Sequence, residues 1–195
     1  MNYQSILDFW FDEPNSPEYG KEKKEWFAWS YQFDEEIRAR FLSTYTQAAS
    51  GQLDDWHENP SSCLSLILLL DQFPRNLFRN TPQAFATDAK ALCLAKKAVS
   101  KGFDRELLTV QRWFIYLPFE HSENIIEQKR SVELFSTLAD DPASQTTIEY
   151  AYRHLEIIQR FGRFPHRNSI LNRPNTEEET KFLISEKSFF WFLKN

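Results

Sequence analysis

Glycine is scarce in this chain: four residues in 195, against a usual frequency of about 7%. That scarcity argues against a glycine-cradled phosphate loop and against a turn-rich all-β fold. Cysteine is scarcer still. Cys63 and Cys93 are too few for a disulfide framework and read as buried thiols in a reducing compartment. Excess positive charge is missing as well. The formal net charge of −5 argues against nucleic-acid binding. The first five residues, Met1-Asn2-Tyr3-Gln4-Ser5, carry no basic n-region of a secretory signal. The longest strongly apolar run, residues 64–70, is broken by Ser65 and ends at Asp71, far short of the ~20 residues a membrane helix needs. The sequence contains no Gly-x-Ser-x-Gly, no P-loop and no His-Glu-x-x-His, and neither cysteine sits in a nucleophile motif. No metal, no other cofactor, no nucleic acid and no membrane are expected, and cytoplasm is the expected compartment.

What the chain does have is rings and helix signals. Apolar residues make up 42% and aromatics 16%, with eighteen Phe and six Trp, enough for one large core in a single domain over residues 1–195. Ser5-Ile6-Leu7-Asp8 resembles a capping box for a short first helix. Phe33, Ile37, Phe41, Tyr45 and Ala49 recur at helical spacing before Gly51. Ser61 or Ser62 is expected to cap a helix that Pro74 ends. Further helices are expected over 84–100 with Gly102 as stop, from Asp104 to just before Pro118, and from Ser122 to about 138. Another runs from Thr146 or Thr147 to Gly162, and a last one opens at Thr176-Glu177-Glu178-Glu179. No period-two segment stands out. The expected fold is all-α, with about eight helices in antiparallel pairs.

Polar residues that interrupt apolar stripes are the informative ones. At about 100° per residue, His154 falls opposite the polar arc of its helix, beside Tyr150, Ala151, Ile157, Ile158 and Phe161. Asp88 sits among Phe85, Leu92, Ala95 and Val99, and Gln128 between Val132 and Phe135. The helix over 64–70 is apolar all round and therefore central. Asp71 is placed at its C-terminal end, where the helix dipole disfavours a carboxylate. Buried carboxylates need partners, and Arg75, Arg79, Arg160, Arg163, Arg167 and Arg173 can supply them. Either these groups staple helices pairwise, or separate helices aim them into one shared pocket.

Two corner motifs resemble one another: Phe73-Pro74-Arg75-Asn76 and Phe164-Pro165-His166-Arg167-Asn168. Each follows an expected helix end. Residues 157–176 contain four Arg and His166 but no Asp or Glu; they read as an anion pocket or as ion-pair partners of Asp71, Asp88, Glu120 and Glu123. Arg forks suit carboxylate or phosphate. Leu117-Pro118-Phe119-Glu120-His121-Ser122-Glu123 is a polar burst after an aromatic helix. Its Glu120 and His121 could form an acid/base pair or merely precede a helix cap. The chain's aromatic end, Phe189-Phe190-Trp191-Phe192-Leu193, reads as a strap docked on the body, with a partner-binding tail as the alternative.

Three stretches together, residues 70–76 with Arg79, residues 116–123, and residues 154–168 from His154 on, resemble the bacterial domain-of-unknown-function 924 family across nearly the whole chain. The resemblance implies an all-helical, tetratricopeptide-like superhelix and brings no established activity or catalytic residues. The family's Leu-Gly-Arg reads Leu171-Asn172-Arg173 here.

Three functions compete at this stage. The favoured one is a binding module that holds a small anion or peptide carboxylate. Its lining would be Arg75, Asn76, Arg79, Asp88, Gln128, His154, Arg163, His166, Arg167, Asn168 and Arg173. The second is an enzyme in which His154 is a buried base oriented by Asp71 or Asp88, with Glu120 or His121 as the second acid/base group. The third is a helical scaffold for protein partners. Whether Asp71, Asp88, His154 and Arg163 meet around one solvent-open cavity decides among them.

Overall fold

The computed structural model describes residues 2–185, so the aromatic strap over 189–193 lies outside the described residues. Among the described residues there is no strand; eight helices and short 3₁₀ turns form the chain. They are α1 (Gln4–Phe11), α2 (Tyr31–Ala49) and α3, which runs through Pro60–Ile67, Leu68–Gln72 and Phe73–Leu77 without a break. After it come α4 (Asp88–Lys101), α5 (Thr109–Glu120), α6 (Ile125–Ser136), α7 (Gln145–Phe161) and α8 (Glu177–Ser185). No described helix is long and apolar enough to cross a membrane.

Helix ends follow side-chain chemistry, at somewhat different residues from those the sequence suggests. Asn59, with Pro60 in the first turn, caps α3 in place of Ser61 or Ser62. Asn124 caps α6, and the Ser122 hydroxyl accepts from the Asn124 amide one step earlier. Ser5 makes no capping box; its hydroxyl donates to the Asn2 carbonyl. Thr176 and Glu179 do form the reciprocal box: each side chain accepts the other's amide, at 3.1 and 2.7 Å. Helix α4 starts at Asp88 because a separate 3₁₀ turn, Pro82–Phe85, precedes it. Helix α5 starts at Thr109 after the 3₁₀ turn Phe103–Glu106. Gly102 and Gly162 stop α4 and α7 in the left-handed conformation. Asn172 also has positive φ, 53°, the backbone that the family's glycine would adopt more easily.

Neither proline read as a stop ends its helix there. Helix α5 continues past Pro118 to Glu120. Helix α3 passes Pro74 by widening: Leu68–Gln72 forms a π-helical turn before the α-helix resumes. Proline has no amide hydrogen, and its ring crowds the carbonyl four residues back. Here that carbonyl belongs to Leu70, and the Thr87 hydroxyl donates to it at 2.6 Å.

Helix α3 is the central element. Leu64 and Leu66 to Leu70 are fully buried, and α1, α2, α4 and α5 all pack on it. An aromatic cluster fills the adjoining space. Trp10 stacks on Trp26 at 6.1 Å and meets Phe73 and Phe114 at 5.4 and 5.6 Å. The Trp26 indole donates to the Trp10 carbonyl, which fixes the 3₁₀ turn Lys24–Trp26 on the core. A smaller cluster, Ile157, Ile158 and Phe164, lies beside it. Of the two cysteines expected to be buried, Cys63 is and Cys93 is exposed.

Replacing Thr87 by Val keeps the shape and strands the Leu70 carbonyl. The expected cost is about 1–3 kcal/mol, read from the urea midpoint. An unchanged midpoint would show that the widened turn needs no outside donor.

Candidate active site

The π turn sets the position of Asp71. A helix that ended at Pro74 would leave this carboxylate trailing at a C-terminus. In the continuous helix it lies in mid-element and is fully buried. Its oxygens are occupied. Oδ1 is 2.8 Å from Nδ1 of His121, and Oδ2 accepts from the Gln72 amide at 2.6 Å. The Arg75 guanidinium stands 3.6 Å from Oδ1 and donates to the Asp71 carbonyl at 2.6 Å. Burial alone would raise the carboxyl pKa, but His121 and Arg75 outweigh it and hold Asp71 at about 2.

An ionised carboxylate only accepts, so Nδ1 of His121 carries the hydrogen. The lone pair is therefore on Nε2, the nitrogen on the far side of the ring from Asp71, and His121 lines a cavity. Burial and the Arg75 charge outweigh Asp71 and lower the imidazole pKa. His121 is neutral at pH 7, oriented by an anion, with a basic nitrogen on a ring that lines the cavity.

The preceding residue behaves oppositely. Glu120 is buried, and burial together with the Asp71 charge pushes its pKa up to about 8. His154 of α7 stands opposite: Nδ1 lies 2.8 Å from the Tyr150 carbonyl and 3.2 Å from Oε1 of Glu120. A carbonyl only accepts, so this Nδ1 too bears the hydrogen. Burial drives His154 down to about 3, against the pull of the Tyr150 carbonyl, with the Arg167 charge acting in the same direction as burial. The Glu120–His154 contact has ion-pair distance, yet both groups are neutral at pH 7. It joins a carboxylic acid to an imidazole. Two carboxyl groups thus sit close together with opposite protonation, the pattern of an acid/base division of labour.

Glu120, His121 and His154 border a cavity of about 310 Å³, with Asp71 behind His121. Its apolar walls come from Trp26, Phe27, Phe85, Leu117 and Ile170, and its polar lining includes Gln72, Arg75, Asn76, Arg79, Glu120, His121, Tyr150, His154, His166 and Arg167. Among the described residues no group of His, Cys, Asp and Glu is arranged to hold a metal ion.

Several residues read from sequence as ligand contacts have other work. Arg163 leaves the cavity to grip Glu179 at 2.6 and 2.8 Å, and Arg173 grips Glu123 at 2.7 and 2.9 Å. The acid-free Arg segment is neutralised by acids outside it. Asn168 is held between Asn175 and Arg173. Gln128 donates to the carbonyls of Glu120 and Ser122 and so ties α6 to the end of α5. Asp88 stands behind the lining, where the Arg75 fork meets it at 3.0 and 3.2 Å. Arg79 and Asn76 reach the cavity but are both bound to Asp34. Of the four residues whose meeting was to decide, only His154 lines the cavity; Asp71 stands behind it and joins through His121, Asp88 joins through Arg75, and Arg163 does not join. The orienting role expected for Asp71 falls on His121, not on His154.

Some participants were not singled out from sequence. Gln72 stood inside a quoted motif, and Tyr150, one turn before His154, supplies the carbonyl that sets its tautomer. Trp26 and Phe27 lie in a segment with no periodicity, which carried no signal for them.

The architecture and the cavity define a class: an all-helical protein with an ionised Asp–His pair and a neutral Glu–His pair at one hollow. The model for the family described as "Bacterial protein of unknown function (DUF924)" matches residues 6–187, and the chain belongs to that family. A solved structure, that of a protein of unknown function from Agrobacterium tumefaciens, is 39% identical in sequence. The match covers 94% of this chain and 97% of that one, with a TM-score of 0.83. No curated protein matches.

The Glu120 shift has a measurable sign. A carboxyl whose pKa is raised on folding contributes stability that is fully present below its ordinary pKa of 4.5 and is lost as pH rises towards about 8. Glu120→Gln keeps the neutral shape and removes that loss. The difference in urea midpoint, variant minus wild type, should climb between pH 4.5 and 8. A difference independent of pH would show Glu120 to be ionised throughout.

Proposed function

We propose that this protein is an enzyme that performs acid–base chemistry on a small molecule held in the cavity. His121 acts as the general base through Nε2 and is positioned by Asp71. Glu120, protonated and 3.2 Å from Nδ1 of His154, is the proton donor. The observation that carries this reading is the 2.8 Å contact between buried Asp71 and His121 at the cavity wall. General acid–base groups work best when their pKa values lie near the operating pH, and desolvation by an apolar cavity moves them there.

A pure anion-binding module is supported less well. Arg79, Arg163 and Arg173 each have a carboxylate within hydrogen-bond distance, and the Arg75 fork is committed to Asp88. A tetratricopeptide-like interaction scaffold in the cytoplasm also fits the family resemblance. Its polar intruders would then be helix staples, and the convergence of His121, Glu120 and His154 on one cavity, with Asp71 behind His121, would serve no purpose.

A neutral, anion-backed imidazole should react quickly with diethyl pyrocarbonate. In the wild-type chain, mass spectrometry should find His121 carbethoxylated faster than His57, whose ring lies on a surface turn with Nδ1 bonded to the Asp54 carbonyl. The His121 rate should hold to lower pH than that of free N-acetylhistidine, because its pKa is lowered. A His121 label forming no faster than the His57 label overturns the reading. Any turnover the cavity supports should fall about 10²–10⁴-fold in His121→Gln. It should also decline above pH 8 as Glu120 ionises.

A further inference from the structure

Arg167 differs from the other arginines of this site. Its side chain is buried at the cavity wall, yet its Nε has no hydrogen-bond partner among the described residues. Its ion-pair contact is long: Nη1 stands 3.7 Å from Oδ2 of Asp88, an oxygen that already accepts from Arg75 at 3.2 Å. Two rings flank the guanidinium. Its central carbon lies 4.5 Å from the Phe164 ring centroid and 4.7 Å from that of Phe85. Both rings hold the guanidinium by cation–π attraction, which uses none of its hydrogen-bond donors. With Nη1 directed to Asp88, the remaining edge is the one formed by Nε and Nη2. That edge presents two parallel donors, the geometry that a planar oxyanion accepts in bidentate fashion.

We propose that the Nε–Nη2 edge of Arg167 is the seat for a carboxylate of the cavity's ligand, and that the ligand is a monocarboxylate with an apolar body. This deepens the acid–base reading and rests on the cavity being a small-molecule site. A buried donor without a partner costs about 1–3 kcal/mol, and a ligand carboxylate removes that penalty. Charge balance sets the valence. Arg75 and Arg167 are opposed by Asp71 and Asp88, and Glu120 and His154 are neutral, so the cavity accommodates one added negative charge more readily than the two of a phosphate monoester. The body of the ligand meets Trp26, Phe27, Phe85, Leu117 and Ile170, and the volume of about 310 Å³ suits a small molecule. A ligand anchored at Arg167 lies in the cavity that His121 and Glu120 also line, so the carboxylate orients it and the histidine and glutamic acid act elsewhere on it.

The test uses the full chain with phenylacetate, phenylacetamide and inorganic phosphate as probes, titrated by NMR with observation of the Arg167 Nε–H resonance. Phenylacetate should shift that resonance and bind about tenfold or more tighter than the isosteric neutral amide. Arg167→Lys, which keeps the charge and loses the fork, should weaken phenylacetate about tenfold. The inference is overturned if acid and amide bind alike, if the wild-type Arg167 resonance stays still at saturation, or if phosphate displaces phenylacetate. The resonance shift is read in the wild-type chain, so it stands even if the lysine variant does not fold. The outcome is separate from the His121 labelling: a reactive His121 with no preference for the acid sinks the Arg167 assignment alone, and the converse result sinks only the acid–base reading.

Discussion

A fully buried, ionised carboxylate in mid-helix is the constraint around which this molecule is arranged. Taking a carboxylate out of water costs several kcal/mol unless it is paired and hydrogen-bonded on every side. Asp71 meets that demand with groups from its own helix, Gln72 and Arg75, and with His121 from the end of α5. Arg75 carries the constraint onward to Asp88 at the start of α4. Next to Asp88, Thr87 closes the backbone gap that Pro74 opens in α3. Three helices are therefore registered by one side chain. Removing a single partner would leave a buried charge uncompensated, at a cost of about 3–5 kcal/mol.

The same carboxylate also determines the protonation of its neighbours. Glu120 shares the low-dielectric setting but has no cation of its own, and the negative charge of Asp71 adds to burial in raising its pKa. His154, as buried as Glu120 and near Arg167, stays neutral. Burial acts on all four groups alike. What separates the two carboxyl groups is their partners: His121 and Arg75 lower Asp71, whereas Glu120 meets only the Asp71 charge. The Arg75 guanidinium also adds to burial in lowering His121.

Helical periodicity made much of this legible in the sequence, and proline chemistry hid the rest. The inward placement of His154 and Gln128 follows from counting 100° per residue along α7 and α6, and both are buried. The capping box at Thr176 and the glycine stops at 102 and 162 follow from local rules and hold. Asp71 could be recognised as anomalous but not placed. Its position depends on α3 continuing through Pro74, and that continuation depends on a hydroxyl thirteen residues beyond the proline, at Thr87. The Arg-rich segment misled for a related reason. Charge counted within a stretch says nothing about Glu123 and Glu179, which reach it from a different part of the chain and from the next helix.

The fate of the arginines separates stapling from function. Arg163–Glu179 and Arg173–Glu123 are partly exposed pairs in which donors and acceptors match and nothing is left over. They tie loops together and would do so with no cavity nearby. The groups around the hollow are different. An apolar set of similar volume would be as stable or more so than a buried ionic cluster, and a cluster kept only for stability would not leave a buried guanidinium nitrogen unsatisfied at its edge. Nor would it set an oriented, neutral imidazole at the wall of a cavity. Arg167, with spare donor capacity, and His121, with spare acceptor capacity, both line the same cavity, and the ligand we propose would supply an acceptor to one and a proton to the other.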